Sequence, residues 1–233
     1  MNEPLPGRSV PADTVIAIDG PAGSGKSTTA RALAERFGLL YVDSGAMYRA
    51  LTWAALDRGV SVQDADSLLE LFESSDLELD PARRETRVVW DGRDISDQIR
   101  TPAIESNVSA VAAHPVIRSA MVDRQRAYAR RRGVVMEGRD IGTVVLPDAS
   151  HKFFITASAE VRARRRLAQQ GEVPSEATLE SVAADIARRD HIDSSRAVAP
   201  LRPAADAIQI NTDSLNAEQV TDAVMTHIRG QVR

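Results

Sequence analysis

Thr14-Val-Ile-Ala-Ile-Asp19-Gly20-Pro-Ala-Gly-Ser-Gly25-Lys26-Ser27-Thr28 is the stretch on which the fold turns. Its first six residues form a short apolar, β-branched run of buried-strand type. A glycine-rich turn follows, and Ser27 to Phe37 then spaces its apolar residues as a helix does, up to a stop at Gly38. Gly20 to Ser27 fits GxxxxGK[ST] at every position. In that pattern the glycines let successive backbone N–H groups turn inward as an anion nest, and the following helix adds its positive end. The lysine bridges the β- and γ-phosphates of a nucleotide, and the hydroxyl after it binds Mg²⁺. Gly20, Pro21, Ala22, Gly23, Ser24, Gly25, Lys26, Ser27 and Thr28 are therefore the candidate ATP contacts, with Ser27 the candidate metal ligand. A glycine-rich turn that binds nothing would need neither the strand before it nor the Lys and Ser.

Outward from this loop, Leu39–Val42 reads as a second strand, and Asp43 and Ser44 offer N-cap chemistry for a helix through Ala46 to Leu56. Residues 62–100 read as a small α+β insert. It has a short helix at Asp66–Glu73, β-like runs at Leu77–Leu79 and Arg87–Trp90, and a turn at Asp91-Gly92. Pro102 to Arg131 is helical, broken at Pro115. Gly133–Met136, Lys152–Thr156 and Ala207–Ile210 are further strands. Glu160–Gln169, Leu179–Arg189 and Ala217–Ile228 are helices, with a break from Gly171 to Pro174. Strands alternating with helices imply βαβ units. The expected fold class is α/β, a three-layer αβα core around a parallel sheet with a small α+β insert and a helical lid. Residues 1–13, with three prolines and no periodic pattern, read as a flexible tail. One domain of 14–233 follows, its core (14–61, 102–157, 191–233) interrupted by the insert (about 62–101) and the lid (about 158–190).

Composition bounds the function. There is no cysteine, which excludes disulfides, thiol nucleophiles and Cys-ligated metal centres. No apolar run approaches the ~20 residues that span a bilayer, and the first residues lack the apolar region of a secretory signal. A cytoplasmic protein that binds no membrane is the expectation. A net charge of -4 argues against a nucleic-acid binder. Only Lys26 and Lys152 among the 29 basic residues are lysines, and the other 27 are arginines. Composition bias accounts for that preference as a whole, while a guanidinium fork suits phosphates and base edges at particular sites. With no NKxD element, a regulatory GTPase is disfavoured, and a motor is disfavoured by size. A small kinase remains, and nothing requires more than a monomer.

Two further clusters belong near the phosphate loop, because ligands in open α/β sheets bind at the carboxyl ends of strands. Ser44, Tyr48 and Arg49 follow the second strand, and Glu137-Gly138-Arg139-Asp140 follows the third. Each alone could be a helix cap or a surface turn; two beside one phosphate loop favour a site. Arg162 and Arg166, four apart, share a helix face with a lid's chemistry, supplying cations to a transferring phosphoryl group. A solvated charged helix is the alternative. Arg189, Asp193 and Arg196 lie downstream, the first two one turn apart if the helix continues. Arg130-Arg131-Arg132 precedes a strand on the far side and reads as solvated surface.

IDGPAGSGKST (18–28), DSGAMYR (43–49), SAVAAHPVIR (109–118), EGRDIGTVVLPDA (137–149), ASAEVRARRR (157–166) and RAVAPLRPAADA (196–207) together resemble the bacterial cytidylate kinases over nearly the whole chain. The resemblance implies transfer of the γ-phosphoryl group of ATP, with Mg²⁺, to CMP and dCMP. It makes the insert part of the region that binds the nucleoside monophosphate. It also implies a cytosine-reading set of Ser44, Arg118, Asp140 and Arg196, acceptor-phosphate ligands in Arg49 and Arg139, and sugar contacts in Ser109, Arg189 and Asp193. The chemistry agrees: the N4 amino group of cytosine donates to Asp140 and Ser44, and its N3 and O2 accept from Arg118. Lys26, Arg139, Arg162 and Arg166 are the candidate catalytic cations. One position departs, since some relatives carry Asp where this chain has Glu137. Another small-acceptor kinase, of shikimate or deoxynucleoside type, is the alternative, and it would lack the insert and the 137–149 and 196–201 signatures.

Overall fold

The computed structural model describes residues 10–81, 86–130, 132–169 and 173–231. Residues 1–9 of the expected tail, Arg131 and Gly171 lie outside these. Strand β1 (Val15–Asp19) leads into helix α1 (Lys26–Phe37), and β2 (Leu40–Asp43) leads into α2 (Ser44–Asp57). The next elements are α3 (Ala65–Glu73) and the strands β3 (Leu77–Pro81), β4 (Thr86–Trp90) and β5 (Arg93–Asp94). Helices α4 (Pro102–Val111) and α5 (Pro115–Ala129) precede β6 (Val134–Gly138), a π-helical turn at Ile141–Val145, and β7 (His151–Thr156). Helices α6 (Ala159–Leu167) and α7 (Leu179–Ser195), strand β8 (Ile208–Asn211) and α8 (Ala217–Gln231) complete the chain.

Five strands form one parallel sheet in the order β2-β6-β1-β7-β8, so the strand that carries the phosphate loop is central. Period-two alternation divides its side chains between two faces. Ile16, Ile18, Val135, Phe153 and Ile155 pack with α1 and α8 through Leu33, Phe37, Val224 and Ile228. Ala17, Val42, Val134 and Met136 pack with α2 and α5 on the other face. The core is built mainly of Ala, Val, Leu and Ile, as a chain with 4% aromatic residues requires.

Strands β3, β4 and β5 form a separate antiparallel sheet. Asp91 (φ 47°) and Gly92 (φ 77°) make the two-residue β4–β5 turn, with the positive φ values that match hairpin twist. The insert has no core of its own: Leu68, Phe72, Leu79, Val88, Trp90 and Ile95 join the cluster that includes Val42 and Met136. Helices α6 and α7 pair instead through a small cluster of Ala163, Val182 and Ile186. Of the expected tail, residues 10–13 run into β1 through a turn, and the Ala12 carbonyl accepts from the Gly133 N–H at 3.0 Å. Two elements differ from the sequence reading. Helix α7 runs on past Arg189 to Ser195, and the segment after β6 winds into a π-helical turn that no periodicity announces. Among the described residues, no helix is long and apolar enough to cross a membrane.

Candidate active site

The parallel register aligns Asp19 with Gly138 and Asp43 with Glu137 across the carboxyl ends of β1, β6 and β2. These ends open onto a cleft of about 450 Å³. One wall of it is the phosphate loop from Ala22 to Thr28. Gly25, at φ 99°, caps α1 and turns the backbone into the helix start. Gly20 stands behind the loop, where a Cβ would lie 2.0 Å from the Ile155 carbonyl oxygen. Gly20 and Pro21 do not line the cleft; they shape the loop from behind.

Lys26 is buried, and its Nζ donates to the Pro21 carbonyl at 2.6 Å. Burial, with the positive charge of Arg139 nearby, pushes its ammonium down to about 7. The Ser24 hydroxyl is fully buried in the same loop and has no protein partner. A nest with an orphaned hydroxyl, a buried ammonium and a helix start fits a nucleotide triphosphate. Ser27 sits beside it with a hydroxyl of the right kind for Mg²⁺. Among the described residues, no group of three or more His or carboxylate side chains could hold a metal ion. An ion there would be held by Ser27 together with the phosphates, the usual habit of Mg²⁺.

The opposite wall gathers Ser44, Tyr48, Arg49, Ser109, Arg118, Arg139, Asp140, Arg189, Asp193 and Arg196. Nearly every arginine here has a carboxylate. Arg118 Nη2 donates to Asp140 at 2.5 Å, under the Tyr48 ring. Arg139 Nε donates to Asp193 at 2.9 Å, and Arg196 stands 3.7 Å from the other Asp193 oxygen. Arg118 and Arg196 also donate to one acceptor, the Ala112 carbonyl. Continuation of α7 to Ser195 is what sets Arg189 and Asp193 one turn apart on a buried face. The Ser44 hydroxyl donates to the Glu137 carbonyl at 2.6 Å. The Glu137 carboxylate turns away from it and accepts from the Tyr41 hydroxyl.

Four contributions escaped the sequence reading. Asp43, read only as an N-cap, does accept from the Ala46 N–H, and it also takes Arg49 at 2.5 Å and Arg100 at 3.0 Å. Burial alone would raise its pKa; the two guanidiniums hold it at about 2. Asp19 accepts from the N–H groups of Ile141 and Gly142, both at 2.8 Å, and so fastens the π-helical turn behind Asp140. Burial pushes its carboxyl up to about 6 against those two bonds. Glu105 lines the cleft from α4, on the same helix face as Ser109 four residues on, and that spacing was the available signal. Arg165, rather than Arg162, reaches the phosphate loop from the cleft side, bonding the Ser24 carbonyl and Thr212.

Arg162, expected as a catalytic cation, does not line the cleft. Its guanidinium grips Asp190 at 3.1 and 2.6 Å, donates to the Ala22 carbonyl at 3.2 Å, and donates through Nε to Ala157. It ties α6 to α7 and to the back of the phosphate loop. Arg166 does line the cleft. Arg130 and Arg132 are exposed, as expected.

A sequence model of a family described as cytidylate kinase matches residues 16–230. A cytidylate kinase of Shouchella clausii is 47% identical over 218 residues, covering 94% of this chain and 97% of that protein. A cytidylate kinase of Geobacillus kaustophilus is 48% identical over 217 residues, covering 93% and 97%. The solved structure of an uncharacterized protein from Eubacterium ventriosum has a TM-score of 0.53 at 13% identity, covering 94% of this chain and 99% of that one, a likeness of fold alone.

Proposed function

This chain belongs to the cytidylate kinase family and is a phosphotransferase, and on that premise we propose that it transfers the γ-phosphoryl group of Mg-ATP to CMP and dCMP, giving CDP or dCDP and ADP. The observation that carries the reading is one cleft with a phosphate nest at one wall and the Arg118–Asp140 pair, with Ser44 and Arg196, at the other. The donor enters at the phosphate loop, where the Lys26 ammonium exchanges the Pro21 carbonyl for phosphate oxygens. The Ser27 hydroxyl would hold Mg²⁺ together with the phosphates, and the ion would supply charge neutralisation there. Arg49 and Arg139 hold the acceptor phosphate, and Ser109, Arg189 and Asp193 hold its sugar. Asp140 accepts from the amino group of cytosine, which uracil replaces with a carbonyl that would face the carboxylate. The insert at 62–101 carries the monophosphate side and the 158–190 segment acts as the lid. The attacking phosphate oxygen is already anionic, so the residues position and neutralise rather than abstract a proton. Closing α6 over the cleft keeps water from competing as acceptor.

The test is coupled-assay ADP release with Mg-ATP and CMP, dCMP, UMP, AMP, GMP or shikimate, one at a time. Fast turnover with CMP and dCMP and much slower turnover with AMP and GMP is the expected result. Silence with every nucleotide despite ATP binding would overturn the reading.

A further inference from the structure

Glu105 belongs to none of the sequence motifs, yet two elements converge on it. Arg166 from α6 and Arg189 from α7 both donate to the same carboxylate oxygen, Oε2, the second at 2.7 Å. Arg189 donates to the Glu105 main-chain carbonyl as well. The carboxylate is only 11% exposed, the two guanidiniums 13% and 7%. All three side chains line the cleft. Burial alone would raise the Glu105 pKa, but Arg49, Arg166 and Arg189 hold it at about 2, so it is charged at any working pH.

Two guanidiniums brought to one buried oxygen repel each other, and only a full negative charge between them makes the arrangement favourable. One carboxylate on the wall's helix α4 thus serves two arginines on the two lid helices, α6 and α7. We propose that Glu105 is a positioning residue for phosphoryl transfer: it is the internal counter-charge that sets the guanidiniums of Arg166 and Arg189 in the cleft before a nucleotide anion arrives. The arrangement lowers the reorganisation needed at the moment of transfer. The proposal rests on the kinase reading above, in which Arg166 faces the transferring group.

Glu105→Gln keeps the shape and one acceptor oxygen but removes the charge, and its melting temperature is compared with wild type to establish folding. The expected kinetic result is a fall in kcat on the order of tenfold to a hundredfold, the range for loss of a charge-assisted hydrogen bond, with the KM for ATP little changed and the KM for acceptor, whose sugar Arg189 holds, raised. In an Arg166→Gln background the same substitution is expected to cost less than it does in wild type, because one of the two guanidiniums Glu105 serves is already gone. Arginine side-chain NMR of the nucleotide-free protein gives a readout independent of turnover. Slowed Nη rotation at Arg166 and Arg189 is expected in wild type and lost in Glu105→Gln, with Arg118 unaffected. A kcat within twofold of wild type, additive effects with Arg166→Gln, a lowered KM that marks Glu105 as a competitor of phosphate, or unchanged NMR signals would each overturn the proposal. If wild type phosphorylates some other acceptor, the same ratios on that acceptor decide the role of Glu105, and the cytidylate reading alone falls.

Discussion

Arg118 and Asp140 form an ion pair of 2.5 Å between α5 and the turn after β6, with side chains only 4% and 7% exposed. Each needs the other, because a lone charge at this depth is costly. The pair therefore stands ready at the cleft wall without a ligand to organise it.

Asp140→Ala leaves the Arg118 guanidinium buried without its carboxylate. The expected loss of stability is about 3–5 kcal/mol, the range for one partner removed from a buried pair, read by urea denaturation. Asp140→Asn, which keeps an acceptor oxygen, is expected to lose less. In both variants kcat/KM for CMP is expected to fall more than tenfold, with the KM for ATP within a few-fold of wild type and the CMP-over-UMP ratio reduced. An unchanged ratio refutes the base-reading role of Asp140.

Lys26→Met is expected to cost at least three orders of magnitude in kcat while the protein stays folded, since among the described residues the Lys26 side chain donates to the Pro21 carbonyl alone. The folded protein holds Lys26 at about 7, below its ordinary 10.5. A lowered lysine pKa means the fold disfavours the charged form. The penalty is complete below pH 7 and fades as pH rises toward 10.5. Nucleotide-free Lys26→Met is thus expected to be more stable than wild type at pH 7, with the gap in melting temperature closing by pH 10. A gap that widens with pH would contradict the burial of the ammonium.

Asp19→Ala removes both acceptors for the Ile141 and Gly142 N–H groups. At about 1–3 kcal/mol per buried donor left unsatisfied, the expected loss is roughly 2–6 kcal/mol. Asp19→Asn retains one acceptor and is expected to fall between. Hydrogen exchange is expected to accelerate at 141–145 before it does at β1. The KM for CMP is expected to rise, because this turn carries Asp140; equal exchange rates in variant and wild type would disprove the fastening.

Arg162→Ala separates tying from catalysis. The α6–α7 pair has a small apolar cluster, Ala163, Val182 and Ile186, and the Arg162–Asp190 fork is its main polar link. Loss of about 1.5–3 kcal/mol is expected, the range for hydrogen bonds to a charged group, with faster hydrogen exchange over 159–167 and 179–195. The KM for ATP is expected to rise several-fold, since the Ala22 carbonyl at the loop's back loses its donor. A variant with normal stability and a drop in kcat alone would restore Arg162 to the reacting group.

The central features of the fold were legible in local sequence. Alternation of β-branched runs with helical spacing is a property of neighbouring residues, so β1, α1 and the parallel class could be read directly, as could the phosphate loop, whose spacing is its function. The Asp91-Gly92 turn was legible for the same reason. What remained hidden depends on residues far apart in the chain. The π-helical turn at 141–145 is held by Asp19, more than a hundred residues away. Arg162 and Arg166 look alike on one helix face, but one meets Asp190 and the Ala22 carbonyl while the other meets Glu105 in the cleft. Sequence by itself determined which cations the protein has and roughly where on the sheet they fall. Only the tertiary structure decided which carboxylate neutralises each, because the energy of a buried charge is set by what packs against it in space, not by what stands beside it in the chain.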